Sequence, residues 1–500
     1  MKLQDLFTGH SGFTTKTGAE LPDLDIKGLS SDARKVEPGF LFIAIKGSKA
    51  DGHDFIVDAI GRGAVALVVQ DGARVPDSFS GPVIISAEIR LLVDRLASRF
   101  WGDPSQKMFC VGVTGTNGKT STTYLVETVL NAGHLPCGVI GTVNHHLGDK
   151  VWPSDMTTPD PIFLQKRLKE FQEDGAQAAA LEVSSHALDQ ARADSVNFDV
   201  AVFTNLTRDH LDYHQDMESY FAAKQRLFLD LLHGTLKPKP RAIVNIGDEW
   251  GRKLRISDRA ALWTYGASDA DFRHQIIASE FTGTVFHVEC PFGALDIDFP
   301  MPGDHNVQNA VAALAVGLAA GLDLEQAASA LSKFHGVPGR LQAVPNMTGL
   351  HVFVDYAHSP DALENVLLTL RNIREGMGSP ARIWVIFGCG GDRDRGKRPE
   401  MGRIAESLAD QVVVTSDNPR TEDPNAIIAD ILGGLQQKTK AHSIVDRSAA
   451  IHFAIENAIP GDVILIAGKG HEDYQVVGTE KRPFRDAEVA DTALRARGNS

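Results

Sequence analysis

Residues 111–130 read VGVTGTNGKTSTTYLVETVL, and this stretch decides the fold. Val111 and Val113 lead into a glycine-rich turn ending Gly118-Lys119-Thr120, and a helical run carrying Leu125, Val126, Val129 and Leu130 follows. Strand, turn and helix in that order make an anion cradle. The turn amides and the helix N-terminus face a phosphate, Lys119 reaches the terminal phosphates, and the Thr120 hydroxyl suits magnesium. The strict pattern G-x-x-x-x-G-K-[ST] fails, because Val113 stands where its first glycine belongs; the turn is T-G-T-N-G-K-T. A purely structural glycine turn is the plain alternative, and the flanking strand and helix argue against it. ATP or GTP binding is expected, with Gly115, Thr116, Asn117, Gly118, Lys119, Thr120 and Ser121 around the nucleotide.

Outward from this loop, apolar runs alternate with amphipathic ones: MFCVGV, AAALEV, VNFDVAVF and RAIVNI predict strands of a parallel, doubly wound sheet. Before them, FLFIAIKG and AVALVVQ read as strands and AEIRLLVDRLASRFW as a helix, with GDPSQK (102–107) as a linker. A helical NVQNAVAALAVGLAAG (306–321) leads to a second junction at Pro338-Gly339. A new strand series then starts: LHVFVDYA, RIWVIFG, QVVVTSD, DVILIAG. The expected organisation is an α/β chain of three domains. Residues 1–106 form a smaller α/β domain, 107–338 the central phosphate-loop domain, and 339–500 a Rossmann-like C-terminal domain.

The bulk numbers narrow the function. The 500 residues carry a formal charge of −14, which argues against nonspecific nucleic-acid binding. An anionic ligand must therefore be held locally, by amides, metal ions and a few placed arginines. The four cysteines, Cys110, Cys137, Cys290 and Cys389, are far apart without CxxC spacing, so reduced thiols in a cytoplasmic protein are expected. No apolar stretch approaches membrane-spanning length, and no membrane insertion is expected.

Nearly every core strand ends in a polar cluster: TGTNGKT, EVSSH, TNLTRDHLDYH, DYAHSPD, GCGGDRDRGKR, SDNPRTEDP, GKGHEDY. Open parallel sheets bind ligands at the carboxyl ends of their strands, and two loaded edges suggest one site between two facing domains. Glu182 and His210 become candidate magnesium ligands, although a lone buried Glu or His is more often a satisfied structural residue. Their repeated strand-end position favours the ligand reading. Lys224, beside Tyr220, Phe221, Leu227 and Phe228, reads from spacing alone as a snorkelling surface lysine. Asp417-Asn418-Pro419-Arg420 reads either as a proline-punctuated turn with a solvated arginine or as a ligand grip.

Taken together, TGTNGKTSTT, EVSSHAL, TNLTRDHLDYH, PGDHNVQNAVAA, PGR and DYAHSPDAL, in this order, resemble the Mur ligase family, which adds amino acids to the peptidoglycan precursor with ATP. The resemblance covers almost the whole chain. It implies a first domain for the UDP end of the precursor, a second for ATP and a third for the incoming amino acid. Lys119 and Thr120 would serve the phosphates. Glu182, His210, Thr120 and a carboxylated Lys224 would hold Mg2+, which overturns the bland reading of Lys224. Lys119, Glu182, His210 and Lys224 thus become the catalytic set. Asn306, Arg340, Asp355 and His358 match positions on the ATP side. Thr157, Thr158, Ser184, Gln190 and Arg192 match positions holding the muramoyl-dipeptide, and Ser31, Arg34, Ser48 and Lys49 fall at the UDP end.

Within the family, SDNPR and GKGHEDYQ point to the member that adds the third peptide residue. That implies UDP-N-acetylmuramoyl-L-alanyl-D-glutamate, meso-diaminopimelate and ATP as partners, for an enzyme expected to be a monomer. Arg420 and Arg393 would take the distal carboxylate of diaminopimelate. Asp417, Asn418, Pro419, Gly468 and Glu472 would surround its distal amine. Lysine offers only an ammonium there, so discrimination should be large. Two departures stand out: the family's DSR appears as Asp32-Ala33-Arg34, with Ser31 a possible substitute, and GRLQ carries Gln342 where an acid is common.

The chemistry implied is activation of a carboxylate as an acyl phosphate and attack by an amine. Positioning and charge neutralisation suffice for it, without a serine or cysteine nucleophile. The rivals are the same ligase adding L-lysine, a folylpolyglutamate synthase, which lacks the N-terminal UDP domain, and a retired, non-catalytic nucleotide-binding module.

Overall fold

The computed structural model describes residues 1–47, 50–437 and 441–498. Met1–Phe272 with Ala312–Ala327 make one compact unit, and Arg273–Val311 with Ala328–Ser500 make the other. Ser48 and Lys49, expected at the UDP end, lie outside the described residues.

Among the described residues, the first unit holds two sheets. Near the N-terminus, Gly28–Ser30, Phe40–Ile43, Ala64–Val69 and Val83–Ile85 pair in parallel, and Thr14–Thr15 closes the edge antiparallel. The helix Ile89–Phe100 covers this sheet through Ile89, Leu92, Val93, Leu96 and Ala97. The larger sheet has eight strands, with Phe109–Thr114 in its interior. Ala178–Glu182 lies on one side of that strand and Val200–Phe203 on the other, both parallel. Every residue of Ala178–Glu182 and Val200–Phe203 is buried, as continuous apolar runs in a two-sided parallel sheet require. The register aligns Glu182 with Val113 and Phe203 with Thr114, so three strand ends open beside one another where the strand order reverses.

The second unit repeats the principle. His351–Asp355, Val463–Ala467, Ile383–Phe387, Gln411–Val414 and Ala441–Ser443 run parallel in that spatial order. Gln342–Ala343 pairs antiparallel at the edge. The helices Pro360–Gly376 and Lys397–Leu408 pack on one face through Leu363, Leu367, Leu370, Met401 and Ala405, and Arg447–Asn457 on the other through Ile451 and Ile455.

Sequence reading did not anticipate the three-stranded antiparallel sheet Arg273–Glu280, Gly283–Cys290 and Gly293–Phe299. Its middle strand buries Thr284, Phe286 and Val288 and leaves the alternate positions more open. That pattern has period two, but it sits among charged residues that dilute it. All four cysteines are free thiols.

Candidate active site

In the phosphate loop, Gly118 (φ +85°) starts the helix Lys119–Ala132, a backbone setting that favours glycine. A Cβ at Gly115 would lie 1.9 Å from Thr204 Oγ1, so the loop closes against the end of the neighbouring strand. Thr204 and Asn205 brace it there. Thr116 N donates to Asn205 O at 2.9 Å, Asn117 N to Asn205 Oδ1 at 2.9 Å, and Thr204 Oγ1 to Asn117 O at 2.6 Å. Neither bracing residue was singled out from sequence; only their place beside the loop in the fold reveals the role. Thr120 and Ser121 are both buried.

Lys119 Nζ donates to Gly115 O at 2.9 Å and Thr116 O at 2.8 Å. Lys224 Nζ donates to the same Gly115 O at 2.8 Å. Lys224 is 1% exposed, so the surface-lysine expectation from spacing is overturned. The helix Met217–Arg226 turns this side chain inward under the loop, with Nζ 4.5 Å from the Tyr220 ring centroid. Burial first, and then the nearby Lys119 charge, holds its amine well below the usual lysine range.

Glu182 is 1% exposed, and both carboxylate oxygens face Thr142: Oε1 accepts from Thr142 N at 2.8 Å and Oε2 from Thr142 Oγ1 at 3.0 Å. A Cβ on Gly141 would come within 2.3 Å of Glu182 Oε1, so glycine is required for this close approach. His210 sits at φ +54°, its ring 5.0 Å from that of His186 and 5.9 Å from that of Tyr220. Its pKa is lowered chiefly by burial, with Asp209 opposing and His186, Lys119 and Lys224 adding to the effect. Among the described residues no group of three or more His, Cys, Asp or Glu could hold a metal by itself. The donor set Thr120, Glu182 and His210 is oxygen-rich but short of charge. A carboxylate on Lys224 would complete it for a hard cation that also takes substrate oxygens and water.

The muramoyl-dipeptide candidates are joined in one polar network. Thr142 Oγ1 and Thr157 Oγ1 are 3.0 Å apart. Thr158, 1% exposed, donates its hydroxyl to Glu182 O at 2.8 Å and accepts from Ser184 N at 3.0 Å. Ser184 caps the helix Ser185–Asp189. Arg192 donates to Thr158 O at 3.0 Å and to Gln190 Oε1 at 2.7 Å, while Gln190 Nε2 donates to the Tyr213 hydroxyl at 3.0 Å. Near the N-terminus, Arg34 pairs through Nε and Nη2 with Asp32 at 2.9 and 2.8 Å, and its side chain is exposed. Ser30, not Ser31, bonds the Asp32 backbone: its Oγ donates to Asp32 O at 2.8 Å.

The remaining candidates lie in the second unit, most of them near its strand ends and Asn306 in the helix Asp304–Ala319. Asp355 is buried and accepts from Leu341 N at 2.7 Å and Ala357 N at 2.8 Å; burial pushes its carboxyl upward while Arg340 opposes. The Arg340 guanidinium lies 5.0 Å from the Tyr356 ring centroid. His358 Nδ1 is 2.8 Å from Tyr356 O, and Asn306 Nδ2 donates to Pro302 O at 2.8 Å.

Asn418, buried, donates through Nδ2 to Glu472 Oε2 at 2.9 Å and accepts from Val476 N at 2.8 Å. Lys469, fully buried and unremarked in the sequence, donates to the same Glu472 Oε2 at 2.8 Å and to Asn418 Oδ1 at 3.2 Å. A Cβ on Gly468 (φ +116°) would meet Asp417 Oδ2 at 2.7 Å. Arg420 adopts φ +52° and donates through Nη1 to Gly391 O at 2.8 Å, so its turn is not a solvated one. Gly391 N in turn donates to Asn418 O at 2.9 Å, and an added Cβ there would lie 1.9 Å from Pro419 O. Arg393 is exposed near Gly390.

Comparison with known proteins finds three family models along the chain. The family model described as Mur ligase middle domain matches residues 113–317. The one described as Mur ligase, glutamate ligase domain matches 339–470, and Mur ligase family, catalytic domain, matches 25–95. The UDP-N-acetylmuramoyl-L-alanyl-D-glutamate–2,6-diaminopimelate ligase of Geobacter metallireducens is 45% identical over 490 residues, with 94% of each chain covered. Its counterpart of the same name from Thermosynechococcus vestitus is 45% identical, covering 99% of this chain and 98% of that one. A solved structure of a protein of that name is 32% identical, covers 100% of both chains and superposes with a TM-score of 0.72.

Proposed function

The chain belongs to the Mur ligase family, with its three-domain architecture, and from that membership we propose that it is an ATP-dependent ligase of peptidoglycan biosynthesis. It joins meso-2,6-diaminopimelate to the D-glutamyl carboxylate of UDP-N-acetylmuramoyl-L-alanyl-D-glutamate. The observation that carries this reading is the phosphate loop with two lysines, Lys119 and Lys224, on one carbonyl oxygen, Gly115 O. That is a site built for phosphoryl transfer and not for a covalent enzyme intermediate.

The substrate carboxylate attacks the terminal phosphorus of ATP, the bond to ADP breaks, and an acyl phosphate forms. The amine lone pair of diaminopimelate then adds to the acyl carbon. The tetrahedral species collapses, expelling phosphate and releasing a proton. Lys119 exchanges its loop carbonyls for phosphate oxygens as nucleotide enters, and the amides at the helix start face the same charge. Lys224, buried with a depressed pKa, presents a neutral amine that adds to carbon dioxide and loses a proton. This turns a neutral amine into an anionic carbamate. Thr120, Glu182, His210 and the carbamate would hold magnesium, which when bound neutralises the phosphate charge and orients the transferring group.

At the other end, Arg420 takes the distal carboxylate in a two-pronged bond, with Arg393 beside it, and Asp417, Asn418 and Glu472 receive the distal amine. Domain boundaries at 106/107 and 338/339, a monomeric state and a cytoplasmic location belong to the same proposal. No helix among the described residues is long and apolar enough to cross a membrane. The test is phosphate release from ATP with the UDP-dipeptide and either meso-diaminopimelate or L-lysine, for wild type and Arg420→Ala. Turnover with diaminopimelate alone, lost in the variant, is expected. Turnover with lysine would overturn the specificity, and none with either would overturn the ligase.

A further inference from the structure

The strands Ile383–Phe387 and Gln411–Val414 pair in parallel as far as Phe387 and Val414. Beyond that last pair, the loops that leave them are joined by a further set of bonds. Gly391 N donates to Asn418 O at 2.9 Å, and Asp392 N to Glu422 Oε1 at 2.6 Å. In return, Thr421 donates its amide to Asp392 Oδ2 at 3.1 Å and its hydroxyl to Oδ1 at 2.8 Å. Arg398, wholly buried at the start of the helix Lys397–Leu408, closes the set. Its guanidinium grips both oxygens of Glu422, Nη2 on Oε1 at 2.8 Å and Nη1 on Oε2 at 3.0 Å. Nη1 also meets Asp430 Oδ2 at 2.9 Å. Arg398, and then the Asp392 amide, hold the Glu422 carboxyl down at about 2, so it stays charged.

Two features tie this clasp to the amino-acid site. Asp392 (φ +54°) and Arg420 (φ +52°), one on each loop, hold left-handed backbones without being glycine. Strain of this kind persists only where surrounding bonds over-determine it, and it concentrates at ligand clamps. The two arginines proposed for the distal carboxylate also lie against one residue of the clasped loop. A Cβ on Gly390 would stand 2.9 Å from Arg420 Nη1 and 3.6 Å from Arg393 Cγ. Gly390 O in turn lies 3.4 Å from Arg398 Nη2. Two guanidiniums beside one glycine repel, and loose loops would let them part.

We propose that Arg398, Glu422, Asp392 and Thr421 are positioning residues, which lock the loop of Arg393 to the turn of Arg420 before the amino acid arrives. They act through the two arginines. The inference deepens the diaminopimelate reading and rests on it. A preformed pair of arginines gives up less freedom on binding than a pair gathered by the ligand.

The experiment is initial-rate phosphate release with each substrate varied in turn, for wild type, Glu422→Gln, Thr421→Val and Thr421→Ser. Melting temperatures are taken on the same preparations. KM for diaminopimelate should rise about 10-fold or more in Glu422→Gln, where a charged acceptor is lost, and about 5-fold in Thr421→Val. In both, kcat and the KM values for ATP and the UDP-dipeptide should stay within about twofold of wild type, the pattern of lost substrate binding. Thr421→Ser keeps the hydroxyl and should match wild type. If Glu422→Gln does not fold, the threonine pair decides. An unchanged KM for diaminopimelate in either folded variant, or a Thr421→Ser as weak as Thr421→Val, overturns the clasp while leaving the ligase intact. So does a rise shared by all three substrates together with a lower melting temperature. Absence of diaminopimelate-dependent turnover in wild type overturns both readings.

Discussion

Lys119 and Lys224 donate to the same atom, the carbonyl oxygen of Gly115, at 2.9 and 2.8 Å. Burial is the main cost of charging Lys224, and repulsion between two ammonium groups sharing one acceptor adds to it. The sign of the pH dependence follows. Between its depressed native value and the unfolded value near 10.4, the unfolded chain binds one proton more than the native one. Stability from this group is therefore complete above the unfolded value and is lost as pH falls through that window. Carbon-dioxide-free protein should gain up to about 1.4 kcal/mol per pH unit in the window relative to Lys224→Met. Thermal denaturation of both proteins between pH 8 and 10 checks this, and parallel curves would refute it.

The same neutral amine predicts a chemical dependence. Enzyme stripped of bicarbonate at low pH and assayed at once should be slow and should recover on adding bicarbonate. Lys224→Ala should lose activity by 100-fold or more, on the order of a missing electrostatic stabiliser, and should not respond to bicarbonate. Phosphate release before and after bicarbonate addition measures it.

Much of this was legible in the chain. The phosphate loop and the strand ends carry local signals: VGVTGTNGKT turns from apolar to glycine-rich within a few residues, and SDNPR interrupts an apolar run. Lys224 was not legible from spacing, because its burial comes from Gly115, far away in the chain, and its helical neighbours read equally well as a surface face. Thr142, Thr204, Asn205 and Lys469 escaped for a related reason. Threonine, asparagine and lysine are common at exposed positions, and only tertiary contacts aim these four at Glu182, at the loop and at Glu472.

Arg420 holds a left-handed backbone, φ +52°, at a cost near 1 kcal/mol that glycine would not incur. Arg420→Gly should therefore fold with stability no lower than wild type, although it loses the bond to Gly391 O. On the role proposed for Arg420, its kcat/KM for diaminopimelate should drop at least 100-fold, because the distal carboxylate would lose its charged partner. Melting curves and kinetics on one preparation separate the two effects. Joint loss of stability and activity would mean that Arg420 acts as a structural brace.

Beneath the same loop, Arg447 and Asp486 are wholly buried and paired through two bonds of 2.7 Å, and Arg447 also donates to Ala467 O at 2.9 Å. Removing one partner strands a buried charge, so Asp486→Ala should cost about 3–5 kcal/mol. Chemical denaturation should show the midpoint falling. A change below 1 kcal/mol would show that water or another group compensates Arg447.

Gly468 separates positioning from direct contact. It sits at φ +116°, and a Cβ there would meet Asp417 Oδ2 at 2.7 Å. Gly468→Ala must therefore strain its own backbone and displace the Asp417 carboxylate, which lies beside Asn418 and the Lys469–Glu472 pair. All of these groups belong to the second unit, whereas the phosphate loop belongs to the first. The expected outcome is selective: KM for diaminopimelate rises about 10-fold or more, as a 1.4 kcal/mol loss implies, while KM for the UDP-dipeptide and for ATP stays within about twofold. Initial-rate kinetics with each substrate varied in turn decides it. An equal rise in all three KM values would mean that the substitution unsettles the whole sheet edge and that Gly468 has no particular part in holding the amino acid.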